Sequence, residues 1–113
     1  MLIFHDPALV LFAVPKTGTT ALENALEKRA AVNLGRPAQM KHCNVSGFER
    51  AVAPKHCKPN RAYLRVAVIR DPLDRLRSWY KYRLLPQFDG AKTSTKGISF
   101  EEFILDQISP DPG

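Results

Sequence analysis

The chain has 113 residues, 44% of them hydrophobic, and carries 17 Lys and Arg against 11 Asp and Glu, a formal charge of +6. That length builds one core and is too short for two ordinary domains, so a single domain over residues 1–113 is expected. The charge draws anionic partners without choosing among nucleotides, acidic sugars and nucleic acid, while apolar runs far below the roughly 20 residues of a spanning helix argue against a membrane span.

In chain order, "LIF" at Leu2 to Phe4 reads as a short edge strand, and "ALVLFAV" at Ala8 to Val14 as a fully buried strand. A polar turn, "PKTGTT", follows. Gly18 or Thr19 then caps a helix on which Leu22, Ala25, Leu26 and Val32 keep the i, i+3, i+4 rhythm, with Gly35 and Pro37 at or beyond its end. Residues 33–59 give weaker signals, except that Ser46 and Glu49 stand at capping-box spacing for a short helix bounded by Pro54 and Pro59.

"AYLRVAVIR", Ala62 to Arg70, is mostly apolar and rich in β-branched residues, and reads as a second central strand. It runs into "DPLDRLRSWYKYRLL", a helix with Asp71 as N-cap and Pro72 in the first helical position. Residues 86–97 lack periodicity and read as a polar loop free to move. A last helix starts at a second capping box, Ser99 and Glu102, with Phe100, Phe103, Ile104 and Ile108 as its apolar face, before a Pro-Asp-Pro-Gly tail that reads as a disordered end or a truncation point. Two strand-to-helix units imply a three-layer αβα fold on a central parallel sheet, whose ligands bind at the carboxyl ends of the strands.

Cys43 and Cys57 sit in an echoed "KHC", at residues 41–43 and 55–57. With two thiols and no basic, cleavable leader, a disulfide framework is not expected, and a cytoplasmic location is. Neighbouring His and Cys on an extended chain point to opposite sides, and C-x-x-C spacing is missing, so no metal site is expected either.

Both central strands end in chemistry suited to an anion. Gly18 lets backbone approach closely, Thr19 and Thr20 offer hydroxyls and unpaired helix amides, and Lys16 adds a cation; an ordinary capped turn with a solvated lysine would read the same way. Lys16 stands two residues ahead of the glycine, whereas the nucleoside-triphosphatase loop has its lysine directly after one. Arg70, at the end of an apolar strand, calls for a planar anionic partner, with Asp71 or Asp74 as the internal alternative. Ser78 lies about two helical turns beyond it.

Together these motifs resemble the sulfotransferases. "PKTGTT" looks like that family's 5′-phosphosulfate loop, and "VIRDPLDRLRSWY" like its 3′-phosphate motif. "KHCNVSGFER" and "FDGAKTSTKGISFEEF" extend the likeness to bacterial members nearest the carbohydrate sulfotransferases. The resemblance implies 3′-phosphoadenosine 5′-phosphosulfate as donor, with Lys16, Thr17, Gly18, Thr19 and Thr20 on the phosphosulfate and Arg70 and Ser78 on the 3′-phosphate. It also implies that Lys16 neutralises the bridging oxygen, that no metal is needed, and that a small molecule or carbohydrate supplies the acceptor hydroxyl or amine.

Of His5, His42 and His56, His42 is placed best as the base that takes the acceptor's proton, because related enzymes carry an acceptor-side histidine between the donor motifs. The family commonly runs to about twice this length, so the chain looks like a short or C-terminally truncated member, and a homodimer is one way to cover exposed core. Three alternatives stand beside transferase activity: a catalytically inactive adenosine 3′,5′-bisphosphate-binding module, a small P-loop kinase, and a nucleic-acid module. The last is disfavoured by Lys and Arg that are scattered rather than clustered.

Overall fold

The structure, a computed structural model, describes residues 1–110. The final Asp-Pro-Gly of the tail lies outside the described residues. Contact density divides the chain into two compact units, Met1–Ile69 and Arg70–Gly113.

In the first unit β1 (Leu2–His5) and β2 (Ala8–Phe12) pair antiparallel, Leu2 opposite Leu11 and His5 opposite Ala8. Only Asp6 and Pro7 separate them, a link that can close a hairpin but is far too short for the crossover a parallel pair needs. The other side of β1 takes β3 (Val32–Asn33), also antiparallel, so β1 is an inner strand and not the expected edge. β4 (Leu64–Ala67) joins β2 in parallel, and the four-stranded order is β3-β1-β2-β4. The sheet is therefore mixed, and its parallel part is the one pair β2 and β4, where an all-parallel sheet was expected.

β4 is shorter than the Ala62 to Arg70 run and forms an edge. The ladder ends where β2 ends, at Phe12 opposite Ala67, and beyond it Ile69 is 89% exposed. α1 (Thr19–Leu26) passes into a 3-10 turn, Glu27–Arg29, so Val32 leaves the helix pattern. The β-branched Val32 instead pairs with Ile3, fixed by Ala31 N–H to Ile3 O at 2.8 Å and Leu34 N–H to Met1 O at 2.9 Å.

After α2 (Ala38–Lys41), α3 (Val45–Gly47), a π-helical turn (Phe48–Val52) and α4 (Ala53–His56) run on continuously. Asn44, not Ser46, caps them, its Oδ1 accepting from Gly47 N–H at 2.8 Å. Pro54 falls inside this run, at the second residue of α4, and does not bound the helix as expected.

Alternation along β1 and β2 sends Met1, Ile3, Val10 and Phe12 to one face, where they form a core with Phe48 and Val52. Each such buried side chain contributes about 1.5–3 kcal/mol through burial. Phe12 and Phe48 meet edge to face at 5.3 Å. On the other face Phe4, Leu9, Leu11 and Val66 share a hollow of about 480 Å³ with Leu22 and Leu26 of α1.

In the second unit α5 (Pro72–Tyr82) starts as expected: Asp71 Oδ1 accepts from Asp74 N–H at 3.0 Å, and Pro72 occupies the first turn. It stops at Tyr82, short of Leu85. α6 (Phe100–Gln107) carries the full capping box, Ser99 Oγ accepting from Glu102 N–H at 3.1 Å and Glu102 Oε2 from Ser99 N–H at 2.7 Å. Tyr80 packs its ring on Phe100 and Phe103, and its hydroxyl donates to Ile98 O at 2.7 Å.

The polar tract between the two helices is tied down rather than loose. Thr95 is 1% exposed and donates its hydroxyl to Tyr80 O at 2.7 Å, while Lys96 pairs with Asp89 at 2.5 Å. Phe103 is buried, but Ile108 follows the helix and is exposed.

Candidate functional site

β2 delivers the chain into residues 13–18, where two residues take left-handed backbone, Lys16 at φ 64° and Gly18 at φ 80°. Such a conformation costs an L side chain about 1–2 kcal/mol, so Lys16 is held there by its surroundings. Thr17 is one of them: its hydroxyl donates to Val14 O at 2.7 Å and closes the turn. What Thr17 has left to offer an anion is its backbone N–H.

Gly18 is the N-cap of α1, with no side chain capping the helix and no acidic residue in its first turn. The first internal bond is Leu22 N–H to Gly18 O at 3.2 Å, so the amides of Thr19, Thr20 and Ala21 lie outside the helix ladder. A Cβ built on Gly18 meets no atom within 4 Å. The glycine is thus required by backbone conformation, not by crowding, and its bare Cα leaves an open approach to the helix amides. Unpaired amides at the positive end of a helix dipole are the kind of group that attracts an anion, and Lys16 places a cation two residues ahead of the glycine.

Lys41, at the end of α2, is a second cation at this loop. Its ammonium donates to Thr20 Oγ1 at 3.2 Å and lies 3.8 Å from Glu23 Oε2, with the side chain only 18% exposed. Glu23, itself buried, also accepts from the Met1 ammonium at 2.8 Å. Sequence reasoning overlooked Lys41, because α2 has no strong periodic signal and "KHC" reads as a metal-type pair.

The next residue is His42. Its Nδ1 donates to Ala13 O at 2.6 Å, and since a carbonyl can only accept, Nδ1 must carry the proton. In the neutral ring the lone pair then sits on Nε2. His42 and Pro15 line one cleft, so the fold brings the Lys16 to Thr20 loop, Lys41 and His42 together at the carboxyl end of β2.

The other histidines are elsewhere: His5 Nδ1 shares a 2.8 Å hydrogen bond with the Tyr63 hydroxyl, and His56 ends α4. Cys43 and Cys57 form no disulfide, and burial raises the pKa of both thiols, offset at Cys43 in part by the nearby Met1 ammonium. Among the described residues no cluster of three or more His, Cys, Asp or Glu is placed to hold a metal ion, and no helix is long and apolar enough to cross a membrane.

In the second unit, Arg70 precedes the N-cap of α5, and Ser78 lies half-buried on that helix. Asp71 serves the cap and Asp74 pairs with Arg77 at 3.1 Å. Arg77 also sits over the Phe100 ring at 5.8 Å, and Arg83 over Trp79 at 5.3 Å. Asp71 thus serves as the helix cap read from the sequence.

A family model described as the sulfotransferase family matches residues 1–111. The chain belongs to the sulfotransferase family. No curated protein and no solved structure matches it significantly. Membership in the sulfotransferase family supports sulfuryl transfer in general, with a small-molecule acceptor.

Proposed function

We propose that this chain binds 3′-phosphoadenosine 5′-phosphosulfate and transfers its sulfuryl group to an acceptor hydroxyl or amine. The observation that carries the reading is the left-handed Lys16 to Gly18 turn leading into the uncapped start of α1, in a chain matched by the sulfotransferase model along nearly its whole length. When bound, the donor supplies an activated sulfuryl group on a phosphate leaving group.

The amides after Gly18 and the hydroxyls of Thr19 and Thr20 hold the 5′-phosphosulfate, with Thr17 contributing its N–H. Lys16 neutralises charge on the bridging oxygen, as fixed cations do where charge develops in a transition state. Arg70 and Ser78 take the 3′-phosphate, Arg70 through its planar fork. His42 accepts the acceptor's proton at Nε2; the hydrogen bond to Ala13 O fixes the tautomer this requires. The reading carries with it a three-layer αβα arrangement and a cytoplasmic location.

A transfer assay with His42→Ala separates this enzyme from a binding module that kept the loops alone. The expected result is loss of turnover with unchanged affinity for adenosine 3′,5′-bisphosphate. Full turnover in His42→Ala would exclude the histidine as base.

A further inference from the structure

A hollow in the first unit lies outside the machinery assigned above. It measures about 550 Å³, within the range of small-molecule sites, and is lined from the π-helical turn, α4, the approach to β4 and Arg65 of β4 itself. It shares no lining residue with the loop at residues 13–18, with α2 or with the cleft between His42 and Pro15. The ladder explains the separation: β4 starts at Leu64, opposite Leu9, whereas the Lys16 loop follows the other end, at Phe12 opposite Ala67.

The approach to β4 is a folded turn rather than a slack link. Asn60 takes left-handed backbone at φ 60°, which asparagine adopts more readily than most residues. The Tyr63 hydroxyl accepts from Lys58 N–H at 3.0 Å and shares a 2.8 Å hydrogen bond with His5 Nδ1, which ties the turn to β1. Lys58 and Arg61 thereby come to line the same hollow.

Three cations line it, Lys58, Arg61 and Arg65, against one carboxylate, Glu49, which ion-pairs with Arg65. Two positive charges are left over. Among the described residues neither Lys58 Nζ nor the Arg61 guanidinium has a hydrogen-bond or ion-pair partner. Between them Phe48, Pro54, Pro59 and Tyr63 supply apolar surface, which a merely solvated pair of charges would not need.

These features together select a ligand. A phosphate monoester is close to a dianion above pH 7 and so matches the surplus charge. Arg61 offers a planar fork for two phosphate oxygens and Lys58 a movable point charge. The apolar surface favours an ester whose organic part gains by leaving water. We propose that this hollow is a binding site for a small phosphate monoester with an apolar body. The site is separate from the loop that follows β2, and it stands or falls independently of the donor reading.

The test is calorimetric binding of phenyl phosphate, inorganic phosphate and benzyl alcohol at pH 8 and low salt. It uses the wild-type chain, the double variant Lys58→Ala with Arg61→Ala, and Lys16→Ala. Phenyl phosphate should bind at least fivefold more tightly than either of the other probes, lose at least tenfold in the double variant, and keep this site in Lys16→Ala. Cys57 lines the hollow and Cys43 does not, so bound phenyl phosphate should slow alkylation of Cys57 at least threefold and leave Cys43 unchanged, as read by peptide mass spectrometry. Lys58 and Arg61 are exposed, so the urea midpoint of the double variant should match the wild type; if it falls, Cys57 protection in the wild-type chain decides. Phenyl phosphate that fails to bind, that binds no better than inorganic phosphate or benzyl alcohol, or that protects Cys43 in place of Cys57 overturns the proposal. So does binding that survives in a folded double variant and disappears in Lys16→Ala, which would put the anion on the loop.

Discussion

Replacing Gly18 by alanine separates backbone conformation from packing, because an added methyl group meets no atom within 4 Å while φ is 80°. Holding alanine in left-handed backbone costs about 1–2 kcal/mol. Restricting the unfolded chain returns about 0.4–1 kcal/mol, which leaves a net destabilisation of roughly 1 kcal/mol. The variant can escape that strain by rotating residues 17 and 18, but the amides of Thr19 and Thr20 then turn away from the anion. Each hydrogen bond to a charged group is worth about 1.5–3 kcal/mol, so losing even one weakens the bisphosphate about tenfold or more. Urea unfolding and calorimetric titration with adenosine 3′,5′-bisphosphate read the two effects separately. Gly18→Asn serves as control, since asparagine visits left-handed backbone more readily and should keep most of both. An unfolding midpoint and an affinity both unchanged in Gly18→Ala would refute the assignment of this loop.

Lys41→Ala removes the ammonium beside Thr20 and should weaken the bisphosphate roughly three- to tenfold at low salt, with a smaller effect at high salt because the site is partly screened. Titrations at two ionic strengths check this; an effect independent of salt contradicts a charge role. Ser99→Ala breaks the capping box of α6 and should cost about 1 kcal/mol in urea unfolding, with bisphosphate affinity unaltered. Burial raises the pKa of Cys43 and Cys57 above that of the unfolded chain. Their contribution to stability is therefore complete below the ordinary thiol range and is lost as pH rises through the folded values, and thiol labelling at pH 8 should be slower in the native chain than in urea.

Local chemistry was legible in the sequence where it depends on neighbours in the chain. Asp71 with Pro72, and Ser99 with Glu102, cap their helices as read, and Gly18 stands at the start of α1. What depends on distant partners was harder to read. Val32 keeps helical spacing from Leu22, yet Ile3 offers it a strand partner 29 residues away in sequence, and pairing overrides the periodicity. The orientation of β1 was decided by the two-residue link at Asp6 and Pro7, a stronger constraint than the apolar character that suggested a parallel sheet. At the carboxyl end of β2 the turn motif and His42 were singled out from the sequence, whereas the contact of Lys41 with Thr20 depends on the fold bringing α2 to the start of α1. The anchoring of the 86–97 tract includes an inward threonine, Thr95, which composition does not distinguish from its exposed neighbours.

The claim at the centre of this account is that one donor nucleotide is held by Lys16 and by Arg70. Isothermal titration of adenosine 3′,5′-bisphosphate into the wild-type chain, Lys16→Ala and Arg70→Ala tests it directly. The account predicts binding to the wild-type chain and a loss of about tenfold or more in each variant, the scale of one charge-assisted contact to phosphate. Unaltered affinity in either variant would contradict it.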